Sequence, residues 1–170
     1  MHRLDAETTG IVLFAKLPFA QARLQQQMQT GAFQKTYQAW VFGVPDPPQG
    51  EIDAPIARRP LPRLLRYVNP DGKPSVTEWL VLERGEKLCK LALHPVTGRT
   101  HQLRLHCAYM GFPILGDPQY GSPESQAFSE ELGLTHQMLC AKKLEFYHPL
   151  TGEFMMLESK MDAAKQEGAF

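Results

Sequence analysis

The chain has 170 residues, with 18 basic and 18 acidic side chains and a formal net charge of zero. This length predicts one domain that can bury a hydrophobic core. The neutral balance argues against a nucleic-acid coat protein, whose affinity comes mainly from phosphate neutralisation, but it allows a locally basic face. We find neither an apolar run near the roughly 20 residues that span a bilayer nor the pattern of a secretory signal.

The cysteines indicate a reducing compartment. There are three of them, Cys89, Cys107 and Cys140, and they are far apart in the sequence. An odd number without close spacing argues against a disulfide framework and against a zinc knuckle. We therefore expect reduced thiols in a cytoplasmic protein, with a monomer as the default state.

The first part of the chain predicts a strand, a helix and a second strand. Residues 10–16 form a short apolar run that is typical of a buried strand. Pro18 suits the first turn of a helix, and Gly31 is a suitable end for it. The expected inner face of this helix contains Phe19, Leu24 and Met28. Residues 35–44 are rich in aromatic and β-branched side chains and predict an interior strand.

Residues 45–74 contain eight prolines and four arginines. Such a density of proline predicts loops and turns, and the length suggests a partner-facing role. The arginines are Arg58, Arg59, Arg63 and Arg66. They are either a phosphate-binding cluster or a solvated loop, and the sequence leaves both readings open.

The second half predicts two hairpins and one helix. Residues 75–83 and 87–94 form the first hairpin, and residues 138–147 and 153–159 form the second. Thr100 is the expected cap of a helix that runs to Met110, before Gly111. Residues 162–170 look like a polar, frayed end. The sum is a mixed α+β domain with a mainly antiparallel sheet and a few flanking helices.

Three side chains are candidate functional groups. Asp5 lies in a short polar loop and is either a functional carboxylate or a turn residue. Arg104 follows His101 by one helical turn, so both would project from nearly the same face. Tyr37 lies in an apolar strand and is either a core residue or a ring that stacks on a base. His106 does not share the face of His101, so we expect no metal site.

Four segments occur in an order that resembles the catalytic domain of the RluA-type pseudouridine synthases. They are His-Arg-Leu-Asp-Ala-Glu-Thr-Thr-Gly at 2–10, Lys-Thr-Tyr at 35–37, Gly-Arg-Thr-His-Gln-Leu-Arg at 98–104 and Gly-Asp-Pro-Gln-Tyr-Gly at 116–121. The first and third are specific motifs. The resemblance covers roughly residues 2–160.

The resemblance implies an enzyme that converts uridine to pseudouridine in structured RNA, either tRNA or ribosomal RNA, without a cofactor. Asp5 would be the catalytic carboxylate and Arg104 the arginine that pairs with it. Tyr37 would stack on the target base, and Arg3 would occupy the space that the extruded base leaves. We expect further substrate contacts from Arg99, His101, Gln102, Arg58 and Arg59.

The resemblance also predicts the domain organisation. Residues 1–160 would form the catalytic domain and residues 161–170 a polar tail. The family usually has strands and a Lys-Pro-x-Gly element before the first motif, so we expect an N-terminally short domain. Two alternatives stay open: an inactive RNA-binding module with the same fold, and a glycoside hydrolase that uses Asp5 and Glu7, because such enzymes need two carboxylates about 5–9.5 Å apart.

Overall fold

The computed structural model describes residues 3–60 and 65–162. Within them lie a seven-stranded, mainly antiparallel sheet, a separate two-stranded ribbon and three helices, so the predicted α+β class is confirmed. The strands are β1 (Thr9–Gly10), β2 (Gln34–Phe42), β3 (Gln49–Asp53), β4 (Ile56–Arg58), β5 (Arg66–Val68), β6 (Val76–Arg84), β7 (Leu88–Pro95), β8 (Leu139–Tyr147) and β9 (Phe154–Glu158). The helices are α1 (Pro18–Thr30), α2 (Gln102–Tyr109) and α3 (Pro123–Glu131).

Strand β2 lies at the centre of the sheet, between β7 and β8. The predicted interior strand at 35–44 is therefore confirmed. Its residues Ala39 and Val41 are fully buried, as are Leu91 and Leu93 on the neighbouring β7. Both predicted hairpins are also confirmed, since β6 pairs with β7 and β8 pairs with β9 in antiparallel register.

Helix α2 packs against β6, β7 and the ribbon of β4 and β5. Leu103 and Cys107 on α2 belong to the main core cluster. The helix thus fixes the ribbon beside the sheet. In the parts of the chain that the structure describes, no helix combines the length and the apolarity that crossing a bilayer requires.

Helix α1 ends where the sequence predicts, but its buried face is narrower than expected. Gly31 follows the last helical residue with φ 76°, the left-handed conformation that glycine adopts without strain. Leu24 is buried and Met28 packs against the same small cluster. The prediction for Phe19 is wrong: its side chain is 51% exposed, with the Arg23 guanidinium 5.3 Å from the ring centroid.

The predicted buried strand at 10–16 is wrong. Only Thr9–Gly10 pairs with β8, in parallel register with Cys140 and Ala141. From Lys143 onward, β9 occupies that same edge of β8, while β2 occupies the other edge. The Ile11 N–H still donates to the Ala141 carbonyl at 3.0 Å, but residues 11–15 are not part of a strand, and Phe14 is 70% exposed.

The proline-rich segment 45–74 contains more strand than predicted. It holds β3, β4 and β5, and all its prolines lie outside the bounds of these strands. Of the four arginines, Arg63 lies outside the described residues. Arg58 and Arg66 face each other across the ribbon.

Two expected ends also need correction, and one helix was missed. Thr100 does not cap α2; the N-cap is His101, whose side chain makes no capping hydrogen bond. Helix α3 was not predicted, although Ser122 caps it by accepting a hydrogen bond from the Ser125 backbone N–H. At the predicted frayed end, Asp162 accepts a hydrogen bond from Lys90 at 3.0 Å, and residues 163–170 lie outside the described part.

We predict that Gly10→Ala lowers the free energy of unfolding by about 1–3 kcal/mol, because Gly10 has φ 104° and a new Cβ would overlap the carbonyl group of Ala141. Gly31→Ala is the matched control, since φ is 76° but nothing lies within 4 Å of the new methyl group. It should cost about 1 kcal/mol. Urea unfolding measures both, and equal losses would contradict the close approach of β1 and β8.

Candidate active site

A cavity of about 350 Å³ opens where the loop at 3–8 meets the loop at 97–101. It lies beside β2 and the end of β7. The sequence-predicted residues that border it are Arg3, Asp5, Tyr37, Arg99, His101 and Gln102. Residues from three distant parts of the chain thus share one site.

The loop that carries Asp5 is anchored from both sides. The Asp5 carbonyl accepts a hydrogen bond from the Thr8 N–H at 3.1 Å, which closes a turn. The buried side chain of Gln137 donates to the Ala6 carbonyl at 2.6 Å and contacts the Thr8 hydroxyl. Because β1 follows directly and pairs with β8, the sheet edge holds the carboxylate at the cavity.

Tyr37 lies on β2 and is 8% exposed. Burial, with a smaller contribution from the Asp5 carboxylate, raises the pKa of its phenol to about 12. The phenol is therefore protonated at neutral pH and can donate a hydrogen bond. The influence of Asp5 on this pKa also places the two groups within electrostatic reach of each other.

Lys35 precedes Tyr37 by two residues and borders the same cavity. Burial lowers the pKa of its ammonium group. From the sequence we assigned Lys35 no role of its own. The available signal was its spacing of two residues from Tyr37, since residues i and i+2 of a strand share a face.

Gln102 organises the loop at 97–101. Its side-chain oxygen accepts hydrogen bonds from the Thr97 hydroxyl at 2.8 Å and from the Arg99 N–H at 2.9 Å. Its side-chain nitrogen donates to the Val76 carbonyl and the Thr77 hydroxyl. These bonds engage both ends of the amide, so the geometry gives Gln102 a supporting role, and its predicted contact with substrate stays a prediction.

His101 begins α2 with φ 57°, a left-handed conformation that is uncommon outside glycine. Its Nδ1 lies 2.9 Å from the Tyr120 hydroxyl. Burial lowers the pKa of the imidazole. The Asp5 carboxylate opposes this shift, and Arg104 reinforces it.

A buried ion pair lies behind this wall of the cavity. The Arg104 guanidinium donates two hydrogen bonds to the Asp117 carboxylate, both at 2.7 Å. It donates a third to Gln119 at 3.1 Å. Asp117 in turn accepts hydrogen bonds from the backbone N–H groups of Gln119 and Tyr120, which closes the turn at 116–121.

A second cavity, of about 480 Å³, adjoins the first and shares Gly98, Arg99 and Thr100 with it. Four cationic side chains border it, and we call it the basic groove: Arg58, Arg66, Lys73 and Arg99. Arg99 is fixed at the junction, because its Nε donates to the Pro74 carbonyl at 3.0 Å.

Arg59 lies elsewhere. Its guanidinium lies 5.5 Å from the centroid of the Tyr67 ring, and it borders a different cavity. The predicted arginine cluster is therefore divided between two surfaces of the ribbon.

Comparison with known proteins identifies the family. A family profile described as RNA pseudouridylate synthase matches residues 1–109. This chain belongs to that family. An uncharacterized RNA pseudouridine synthase of Aquifex aeolicus (strain VF5) is 43% identical over 164 residues, covering 93% of this chain and 51% of the relative.

Two further relatives bear more specific names, and they confirm the resemblance to the RluA type. The ribosomal large subunit pseudouridine synthase C of Vibrio parahaemolyticus serotype O3:K6 (strain RIMD 2210633) is 37% identical, with 96% of this chain and 51% of the relative covered. The ribosomal large subunit pseudouridine synthase D of Pasteurella multocida (strain Pm70) is 40% identical, with 91% and 50% covered. The chain spans about half the length of these curated relatives.

The fold agrees with a solved structure of the family. Human RNA Pseudouridylate Synthase Domain Containing 1 superposes with a TM-score of 0.81 at 26% sequence identity. The match covers 99% of this chain and 71% of the human chain.

The pseudouridylate synthase resemblance led us to expect an ion pair between Arg104 and Asp5. The structure instead pairs Arg104 with Asp117, and Asp5 acts on Arg104 only through space, as one of several groups that raise the pKa of the guanidinium. Two carboxylates were available to one arginine, and the sequence alone did not decide between them. The turn role that we expected for Asp117 is present, but the ion pair was missed.

The histidine that follows the pseudouridylate synthase motif at 98–104 is part of the core. His106 is fully buried, with Nδ1 2.9 Å from the Thr77 hydroxyl and Nε2 3.0 Å from the Ala54 carbonyl. Across residues 3–60 and 65–162, no group of three or more His, Cys, Asp or Glu side chains has the arrangement of a metal site.

We predict that Asp117→Asn lowers the free energy of unfolding by about 3–5 kcal/mol, because it leaves the Arg104 charge buried without its partner. Glu158→Gln is the control: Glu158 is 62% exposed and 3.6 Å from Lys142, so its loss should cost less than about 1 kcal/mol. Thermal and urea unfolding measure both variants. Similar losses would show that the buried pair is dispensable.

Proposed function

We propose that this chain isomerises a specific uridine of RNA to pseudouridine, with Asp5 as the essential carboxylate. One observation carries the proposal: Asp5 and Tyr37 border one cavity that adjoins the basic groove. A carboxylate beside an aromatic donor suits chemistry on a nucleoside. The cationic surface next to it suits the phosphates on either side of that nucleoside.

The reaction needs no oxidant, reductant or added group. The bond between N1 and C1′ breaks, the uracil turns, and C5 bonds to C1′. The hydrogen on C5 leaves as a proton and N1 takes up a proton, so the composition of the RNA is unchanged. We therefore propose that the protein's own side chains are sufficient and that no cofactor is required.

Base flipping is the physical requirement for this chemistry, because the reacting atoms of a stacked nucleotide are out of reach. The cost is a few kcal/mol. Stacking on Tyr37 would offset about 1–3 kcal/mol of it. Arg3 is exposed at the same cavity, which supports its proposed part in occupying the space that the base leaves.

Asp5 has three routes open to it: attack on the sugar, attack on the base, or removal of a proton from the ribose. Each route requires an ionised carboxylate. Tyr37 complements it, because a phenol whose pKa is about 12 keeps its proton at neutral pH and can pass it to the turning base. We assign Tyr37 the part of a donor and stacking platform.

The substrate we favour is ribosomal RNA of the large subunit, because two of the relatives are named for that RNA. Transfer RNA is the second candidate. Action as a monomer in the cytoplasm stays a prediction.

We predict that Asp5→Asn abolishes pseudouridine formation while RNA affinity changes less than a few-fold. Glu7→Gln, two residues away in the same loop, should retain the wild-type rate, because Glu7 is exposed and does not border the cavity. The measurement is chromatography of nucleosides after digestion of ribosomal RNA transcripts and bulk tRNA. Turnover by Asp5→Asn would remove Asp5 from the mechanism.

The same experiment separates the alternatives. A glycoside hydrolase that uses Asp5 and Glu7 would lose activity in both variants and would release free base. An RNA-binding module without catalysis would bind RNA equally well with or without Asp5 and give no pseudouridine even with the wild-type chain.

We predict that Arg58→Gln together with Arg66→Gln weakens RNA binding and reduces the slope of log K against log salt by about 1.5, since each phosphate contact contributes about 0.7–0.9. The control removes two charges, Arg84 and Lys87, at the β6–β7 turn. That turn is about 23 Å from the cavity end of β7. Filter binding at several salt concentrations measures both slopes, and equal slopes would show that the groove faces away from RNA.

A further inference from the structure

The Tyr120 hydroxyl joins the ribbon to the wall of the active-site cavity. It lies 3.1 Å from the backbone nitrogen of Arg66 on β5 and 2.9 Å from Nδ1 of His101. The two rings meet edge to face, with centroids 5.8 Å apart. One oxygen atom therefore contacts two elements that belong to different parts of the fold.

The protons on this oxygen can be assigned from its partners. A backbone N–H can only donate, so the phenol oxygen accepts from Arg66. Its own hydrogen is then free to donate, and the acceptor within reach is Nδ1 of His101. An imidazole that accepts at Nδ1 carries its proton on Nε2 if it is neutral. The opposite arrangement would bring two donors to the phenol oxygen and leave its O–H without this acceptor.

His101 borders the cavity of Asp5, while Tyr120 borders a different one. The Tyr120 hydroxyl engages Nδ1 of the imidazole at 2.9 Å. Nε2 is therefore the ring nitrogen that remains to meet a ligand in the cavity of Asp5.

We propose that Tyr120 is a positioning residue that holds His101 as the neutral Nε2–H tautomer, so that His101 donates a hydrogen bond to an oxygen of the target uridine. This inference rests on the proposed function. The uridine offers neutral acceptors of the required kind in its uracil carbonyls and its ribose oxygens.

A neutral donor suits this site better than a charged one. An imidazolium would pair with the Asp5 carboxylate and draw it from the reaction, whereas a neutral N–H leaves Asp5 available. Cations already border the cavity in Arg3, Lys35 and Arg99. The charged groups that act on His101 are Asp5 and Asp117, which favour its protonation, and Arg104 and Arg66, which oppose it.

Tyr120→Phe removes the hydroxyl, and with it its bonds to His101 and to the Arg66 N–H, and it keeps the ring that lies 5.2 Å from the Arg104 guanidinium. The first readout is the ¹⁵N NMR spectrum of the histidine rings in the free protein. We expect wild-type His101 to show a bare Nδ1 and a protonated Nε2, and Tyr120→Phe to show a mixture of tautomers. A wild-type His101 protonated at Nδ1 would overturn the proposal.

The second readout is kinetic, on a ribosomal RNA transcript. We expect Tyr120→Phe to lower kcat about tenfold, the effect of one hydrogen bond, with KM changed less than about threefold. The acid limb of the pH profile of kcat should move to higher pH. Without the Tyr120 O–H donor, the neutral His101 imidazole is less favoured, so the pKa of His101 rises. Wild-type kcat and an unmoved acid limb in this variant would refute the role of Tyr120.

Tyr67→Phe is the matched control. Tyr67 lies in the ribbon that Tyr120 contacts, and its hydroxyl accepts a hydrogen bond from the Asn69 side chain at 2.8 Å. Tyr67→Phe should change neither the tautomer of His101 nor kcat from their wild-type values. An equal fall in kcat for both variants would reduce the role of Tyr120 to support of the ribbon.

Two further outcomes are covered. If Tyr120→Phe does not fold, His101→Asn and His101→Asp replace it, because both residues tolerate the left-handed backbone. We expect turnover to survive only with Asn, whose amide can donate, and equal loss in both would contradict the donor role. If the wild-type chain isomerises no RNA, the proposed function fails, while NMR of the free protein still decides the tautomer.

Discussion

The buried pair of Arg104 and Asp117 is the interaction on which the site depends. Both hydrogen bonds are 2.7 Å long, and the two side chains are 6% and 1% exposed. Removing two charges from water is costly, and only good geometry with further hydrogen bonds offsets that cost. Here the further bonds come from the backbone of the turn at 116–121, which also delivers Tyr120 to His101. Helix α2, the turn and the ribbon are thereby fixed to one another, and with them one wall of the cavity.

The opposite wall of the cavity depends on which strands pair with the two edges of β8. Strand β1 takes two residues of one edge, β9 takes the rest, and β2 occupies the other edge. The short parallel contact at Thr9–Gly10 and the Gln137 side chain hold the loop of Asp5. Tyr37 lies on β2, directly opposite Ala141 of β8. The carboxylate and the phenol are therefore positioned from the same strand, and this common support explains why both border one cavity.

The sequence predicted those parts of the fold that depend on local patterns. The strand at 35–44, the two hairpins and the end of α1 at Gly31 follow from side-chain periodicity and turn residues. The strand expected at 10–16 failed for a non-local reason, since its pairing edge is taken by β9. The sequence named Asp5, Tyr37 and His101, which do border one cavity, but it did not predict the network around them, since the partner of Arg104 is Asp117. The contact of Tyr120 with His101 joins distant segments, which no local pattern reveals, whereas the place of Lys35 beside Tyr37 could have been read from their spacing in β2.

Tritium release measures the proposed isomerisation directly. Ribosomal RNA transcripts and bulk tRNA, labelled with tritium at C5 of uridine, are incubated with the wild-type chain, because formation of the bond between C5 and C1′ expels the hydrogen at C5. We expect release of tritium into water while the RNA keeps its length and all its bases. RNA that binds to the chain and retains its tritium, at every pH and with both kinds of RNA, would contradict the proposed isomerisation.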